Sequence, residues 1–157
     1  MGNCFNKSPI YDATFENTPQ FTFENIKDKV KILKVIDGDT VDIALCQSCI
    51  DPESKKIFKY RVRLYGIDTP EKRPSKDDPH RDKEIQASVK SKDALISKLK
   101  ENDNVVNVLF YKADKYGRLL CTFYDKKDND INKWMIDNGY AIPYFGGTKE
   151  KFDISRI

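Results

Sequence analysis

The 157-residue sequence has few of the residues that zinc sites, disulfide-stabilised domains and membrane spans require. Its one histidine, His80, and its four scattered cysteines supply neither a zinc set nor a disulfide framework. Cys46 and Cys49 form a CxxC that could be a redox pair or half a metal site, but without a second CxxC we favour neither role. No run of about 20 apolar residues predicts a transmembrane helix, and no N-terminal apolar run is typical of a signal peptide. These absences favour an intracellular protein.

The net charge is also small. Lys and Arg number 28 against 25 Asp and Glu, so the chain carries +3. This balance permits a nucleic-acid partner only if basic side chains gather on one face. Hydrophobic residues make up 39% of the chain, enough for a folded core. We expect an extended N-terminal arm over 1–28, one compact domain over 29–150 and a short tail over 151–157.

Apolar periodicity and turn residues predict five strands and two helices. In chain order they are strands near 30–35, 41–45 and 57–65, a helix near 85–99, strands near 105–111 and 119–124, and a helix near 131–138. This order matches an OB-type Greek-key barrel, in which a helix lies between the third and fourth strands. The predicted fold class is therefore α+β, mainly β: a five-stranded OB-type barrel with two or three flanking helices.

Charged residues cluster in three short segments at the ends of predicted strands, namely 36–40, 63–71 and 114–118. Each has an ordinary explanation when taken alone: the first is a common tight-turn sequence, Asp68 could cap a turn, and Arg63 could be a surface residue of its strand. Taken together they gather carboxylates and guanidinium groups, which suit calcium or magnesium and phosphate groups.

In their order and flanking residues, the three segments resemble the staphylococcal nuclease (thermonuclease) family over roughly 29–145. The resemblance implies that Asp39 and Asp68 bind Ca²⁺ through their carboxylates and Thr69 through its backbone carbonyl. It also implies three catalytic positions: Arg63, Glu71 and Arg118. The arginines would stabilise charge on the phosphate oxygens as the phosphorus becomes five-coordinate, and Glu71 would orient or deprotonate the attacking water.

The resemblance thus implies a calcium-dependent nuclease, a phosphodiesterase acting on DNA, RNA or both. Unpaired strands should be favoured, because no segment looks like a reader of base edges. The candidate nucleotide contacts are Tyr116, beside Arg118, and Tyr144, which could instead pack in the core. The competing hypothesis is a catalytically inactive OB-type module that binds single-stranded nucleic acid.

The N-terminus carries a separate signal. Gly2 and Cys4 are placed as in proteins that are N-myristoylated at the glycine and palmitoylated at a nearby cysteine. Asn6 departs from the usual Ser or Thr of that motif, and an ordinary flexible terminus is the alternative. Two acyl chains would attach the protein peripherally to a cytoplasmic membrane face. Without them we expect a soluble cytoplasmic protein, and in either case a monomer.

Overall fold

The computed structural model describes residues 9–147. The predicted acylation positions Gly2 and Cys4 lie outside the described residues, as does the tail 151–157. Acylation therefore stays a prediction, as do the domain boundaries. The first strand of the barrel begins at Lys27, two residues before the predicted start of the domain. Within residues 9–147, none of the helices has the length and apolarity of a membrane span.

The described chain forms a barrel flanked by two α-helices. In chain order its strands and helices are β1 (Lys27–Val35), β2 (Thr40–Cys46), β3 (Ile57–Leu64), β4 (Ile67–Asp68), α1 (Arg81–Lys100), β5 (Val105–Phe110), β6 (Leu119–Tyr124), α2 (Ile131–Asp137) and β7 (Ile142–Pro143). The barrel closes in the order β1-β2-β3-β6-β5, and β4 and β7 pair as a separate small sheet. β3 and β6 are parallel, whereas the other barrel pairs are antiparallel. The predicted five-stranded OB-type barrel with flanking helices is confirmed.

Alternation of apolar residues explains the core positions of β2 and β3. Val41, Ile43 and Leu45 on β2, and Val62 and Leu64 on β3, are each at most 1% exposed. Because successive side chains of a strand point to opposite faces, these residues fill the barrel and their neighbours face outward. The same pattern predicted both strands from the sequence.

The first helix begins earlier than its apolar periodicity predicted. α1 begins at Arg81, whereas the apolar positions predicted a start near residue 85, so the segment that precedes the helix is shorter than expected. The first turn carries Asp82 and Glu84, acidic residues that favour a helix N-terminus without contributing to the apolar stripe. The later residues Leu95 and Leu99 are fully buried against the barrel core.

Asn132 fixes α2 against the end of β3. Its side chain is 3% exposed, and its Nδ2 donates to the carbonyl oxygens of Tyr65 and Cys121, each at 3.0 Å. Its Oδ1 accepts a hydrogen bond from the Phe123 backbone N–H at 3.2 Å. Buried backbone groups need partners, so one side chain here holds together α2, β6 and the segment that follows β3. That segment leads directly into the charged residues described next.

Candidate active site

Arg63 lies between two carboxylates that come from different parts of the chain. Its terminal nitrogens are 2.8 Å from Asp39 Oδ2 and 2.7 Å from Asp68 Oδ1. Asp39 lies on the turn before β2, Arg63 near the end of β3, and Asp68 at the end of β4. The other oxygen of Asp39 accepts a hydrogen bond from the Thr40 hydroxyl at 2.9 Å. The structure thus brings together three of the predicted site residues at one end of the barrel.

Both carboxylates are buried. Asp39 is 3% exposed and Asp68 is 7% exposed. Burial raises the pKa of Asp39 to about 7; the positive charge of Arg63 acts in the opposite direction, and the neighbouring Asp37 adds to the increase. One guanidinium therefore compensates the two acids only in part, and the cluster favours additional positive charge.

Gly38 lets the turn before β2 approach α1 closely. A Cβ atom at residue 38 would lie 2.2 Å from Ser91 Oγ and 2.9 Å from Thr69 Cγ2, distances that real Cβ contacts essentially never show. Ser91 is 0% exposed, so its hydroxyl has no open space to move into. Any side chain at position 38 would push away the turn that carries Asp39.

We expect Gly38→Ala to lower the free energy of unfolding by about 1–3 kcal/mol, because it overpacks this contact. If Asp39 is a calcium ligand, as the family resemblance implies, the variant should also lose calcium affinity, since Asp39 moves with the turn. Adding Ser91→Ala removes the nearest clashing atom and should restore part of both losses, with Ser91→Ala alone as the control. Urea unfolding and calcium titration measure the two effects. Unchanged stability in Gly38→Ala, or no recovery in the double variant, would contradict this packing.

A tight turn between β5 and β6 holds Arg118. Asp114 Oδ1 accepts hydrogen bonds from the backbone N–H groups of Tyr116 and Arg118, each at 2.9 Å, and its Oδ2 accepts from Arg118 Nε at 2.6 Å. Burial acts to raise the pKa of Asp114, but these hydrogen bonds outweigh it and lower the pKa. The Arg118 guanidinium carbon also lies 5.4 Å from the centre of the Tyr116 ring.

Arg63 and Arg118 line one pocket of about 690 Å³. Its walls carry four aromatic residues, namely Tyr65, Tyr116, Tyr144 and Phe145. Tyr144 is anchored by its backbone N–H, which donates to the Gly66 carbonyl at 2.9 Å, so it lies at this pocket instead of inside the barrel. Guanidinium groups beside aromatic faces suit the phosphate and the base of an unpaired nucleotide.

The comparison with protein families agrees with this geometry. The family model described as "Staphylococcal nuclease homologue" matches residues 61–155, more than half of the chain. The chain belongs to the staphylococcal nuclease family. The matched segment contains Arg63, Asp68 and Arg118, whereas the turn that carries Asp39 precedes it.

Three curated proteins show the range of the similarity. The chain is 27% identical to Endonuclease YhcR of Bacillus subtilis over 124 residues. The aligned region makes up 78% of the chain and 9% of that protein. The chain is 27% identical over 114 residues to an uncharacterized endonuclease of Escherichia coli O157:H7, covering 73% of the chain and 60% of that protein. It is 30% identical over 108 residues to Succinoglycan biosynthesis protein ExoI of Rhizobium meliloti, covering 69% of the chain and 48% of that protein. The chain spans less than two thirds of the length of each of these relatives.

Four predicted residues of the nuclease site lie outside the pocket lining, namely Asp39, Asp68, Thr69 and Glu71. Thr69 is 7% exposed and packs beside Gly38. Glu71 is exposed, and its backbone N–H donates to Glu84 Oε1, 3.1 Å away, in the first turn of α1. The helix therefore positions the backbone at Glu71, whereas the catalytic role of its side chain stays a prediction.

The chemistry of the donor set fits a hard divalent cation. The carboxylates of Asp39 and Asp68, with the carbonyl of Thr69, would hold Ca²⁺, which takes oxygen ligands. Within residues 9–147 no group of three or more His, Cys, Asp or Glu side chains could hold a metal, so further ligands would be water or substrate oxygens. When both buried acids are ionised, one guanidinium leaves a net negative charge that such a cation would neutralise, and the cation would thereby favour the ionised form of Asp39.

Two aromatic residues of the pocket were missed by sequence reasoning. The centre of the Tyr65 ring lies 5.7 Å from that of Phe145, in an edge-to-face contact. Phe145 packs over Gly66, where a Cβ would come within 3.0 Å of its ring and where φ is +76°. The glycine directly after a strand was the available signal, because it permits both the turn and the close approach of a ring.

Proposed function

We propose that this chain is a calcium-dependent nuclease that hydrolyses phosphodiester bonds in DNA, RNA or both and favours unpaired strands. The observation that carries the proposal is Arg63, which joins two buried carboxylates and lines the same pocket as Arg118. Membership of the staphylococcal nuclease family supports it. So do the names of the Bacillus subtilis and Escherichia coli relatives, both of which are called endonucleases.

The two arginines would act on the charge that develops during hydrolysis. Attack on the phosphorus concentrates negative charge on the non-bridging oxygens, and guanidinium groups held in advance stabilise it best. Arg63 is held by Asp39 and Asp68, and Arg118 by Asp114. When bound, calcium would supply a further positive charge to the same phosphate.

Glu71 is the proposed base for the attacking water. It lies three residues beyond Asp68, on the segment that leads from the buried cluster to α1. The hydrogen bond from its backbone to Glu84 limits where its side chain can reach. A carboxylate at this place could orient the water or accept its proton.

The aromatic walls support the preference for unpaired strands. A base can stack on the exposed rings of Tyr116 and Phe145, 71% and 72% exposed, only when it is unstacked from its own neighbours. Stacking accepts any base, so sequence discrimination should be weak. Sugar preference should be weak as well, because stacking and phosphate contacts are available to DNA and RNA alike.

The test is cleavage of labelled single-stranded DNA and RNA by the purified chain, with calcium or with EDTA. Cleavage should require calcium and should be faster on unpaired strands than on a matched duplex. Arg63→Ala, purified in parallel, controls for contaminating nucleases. Calcium-independent cleavage, or tight binding of strands without any cleavage, would contradict the proposal, and the second result would favour the inactive binding module.

A further inference from the structure

The outer face of β1–β3 carries basic residues in two rows across the strands. Strand pairing places the outward residues of the three strands side by side. The first row is Lys31, Ala44 and Lys59, and the second row is Lys34, Asp42 and Arg61. Val30, Ile32 and Val62, which flank Lys31 and Arg61, are buried in the barrel, and the four cations are exposed. The register of β1 shifts between Ile32 and Lys34, so Leu33 is exposed beside Lys34. Neither the sequence motifs nor the pocket of about 690 Å³ includes these side chains.

A single carboxylate faces the four cations within these rows. Asp42 is paired with Arg61 at 2.8 Å (Oδ1 to Nε) and 3.1 Å (Oδ2 to a terminal nitrogen). Hydrogen bonding from Arg61 lowers the pKa of Asp42, and the charges of Lys59 and Lys34 lower it further. Lys31 Nζ donates to the carbonyl of Asp103 at 2.9 Å. The outer face of β1–β3 therefore keeps an excess of positive charge, with Lys34 and Lys59 on either side of Asp42.

This face runs directly into the candidate active site. Lys59, Arg61 and Arg63 occupy alternate positions of β3, so all three point outward, about 6.6 Å apart along the strand. Arg63 contacts Asp39 and Asp68 at the end of this row. A polyanion that reaches Arg63 can therefore follow the same strand onto Arg61 and Lys59.

We propose that the outer face of β1–β3 binds the sugar-phosphate backbone of a single nucleic-acid strand on one side of the bond that is cleaved. The inference rests on the proposed nuclease function. Positive charge complements phosphates of any sequence, and the continuity with Arg63 favours the substrate strand over a separate partner. Substrates long enough to reach Lys59 and Lys34 gain affinity that a trinucleotide lacks.

The test is a double charge reversal, Lys34→Glu with Lys59→Glu, against the matched control Lys127→Glu with Lys133→Glu. The control makes the same change in net charge on the side of the barrel where α2 packs. The first variant should lower kcat/KM for a 20-nucleotide strand at least tenfold more than for a trinucleotide. The control should lower kcat/KM by the same factor for the 20-nucleotide strand and for the trinucleotide. A second variant, Lys34→Gln with Lys59→Gln, should reduce the salt dependence of strand binding by about 1.4 in log–log slope, for two lost phosphate contacts.

Strand binding in EDTA, followed by fluorescence anisotropy, separates this inference from the nuclease proposal. If the wild type binds the 20-nucleotide strand more tightly than the Lys34/Lys59 variants, the face is confirmed even where no cleavage occurs. Equal binding by the wild type, both variants and the control would overturn it. The inference would also fail if the Lys34/Lys59 variants lost only binding to phosphatidylserine vesicles, since the face would then be a membrane surface.

Discussion

Replacing Arg63 by alanine should lower kcat on a single-stranded oligonucleotide by about 100-fold or more, because it removes a donor placed for charge in the transition state. The same change should destabilise the metal-free protein by about 3 kcal/mol or more. It removes the guanidinium that lies 2.8 Å from Asp39 and 2.7 Å from Asp68, two buried acids. Single-turnover kinetics and urea unfolding measure the two effects separately.

Calcium distinguishes the two roles of Arg63. If the ion neutralises the same acids, it should restore more stability to Arg63→Ala than it adds to the wild type. It should not restore turnover, since the guanidinium donors are still missing. Arg63→Lys keeps the charge but not the planar fork, so its turnover should stay well below that of the wild type. If Arg63→Lys turned over at nearly the wild-type rate, the charge of residue 63 would serve only to bind the substrate and not to stabilise the transition state.

Replacing Asp39 or Asp68 by asparagine should weaken calcium binding by about 100-fold or more and abolish calcium-dependent cleavage. Changes to residues that only support metal ligands already cost 10–100-fold, and these two carboxylates are the proposed ligands themselves. The barrel should stay folded, because both residues lie at strand ends and outside the apolar core. Isothermal titration with calcium, beside thermal unfolding of the metal-free variants, measures both.

Asp125 offers a matched control for these variants. It is 7% exposed, as is Asp68, and accepts hydrogen bonds from the backbone N–H groups of Lys127 and Asn129. Asp125→Asn should therefore change stability without changing calcium affinity. If Asp125→Asn lost as much calcium affinity as Asp68→Asn, the loss would come from removing any buried carboxylate and not from removing a calcium ligand. Calcium binding that persists in both Asp39→Asn and Asp68→Asn would place the ion elsewhere.

Local signals in the sequence predicted most of the fold. Alternation predicted the barrel strands, and the predicted range 119–124 coincides with β6. Short polar segments predicted the turns that carry Asp39 and Arg118. The missing parts were those without a local pattern: β4 and β7 have two residues each, which is too short for any periodicity. These two strands form because they pair with each other. That contact joins distant parts of the chain, so no local sequence pattern indicates it.

The sequence by itself determined the barrel fold, the order of the charged segments and the candidate residues, because alternation, turn chemistry and motif order are all local properties of the chain. Only the tertiary structure decided which of those residues meet. Arg63 contacts both Asp39 and Asp68 because β2 pairs with β3 and because β4 folds back after Gly66. The pocket shared by Arg63 and Arg118 depends on the parallel pairing of β3 with β6. The basic outer face depends on register, because a shift of one residue would turn its lysines to the opposite face of the sheet.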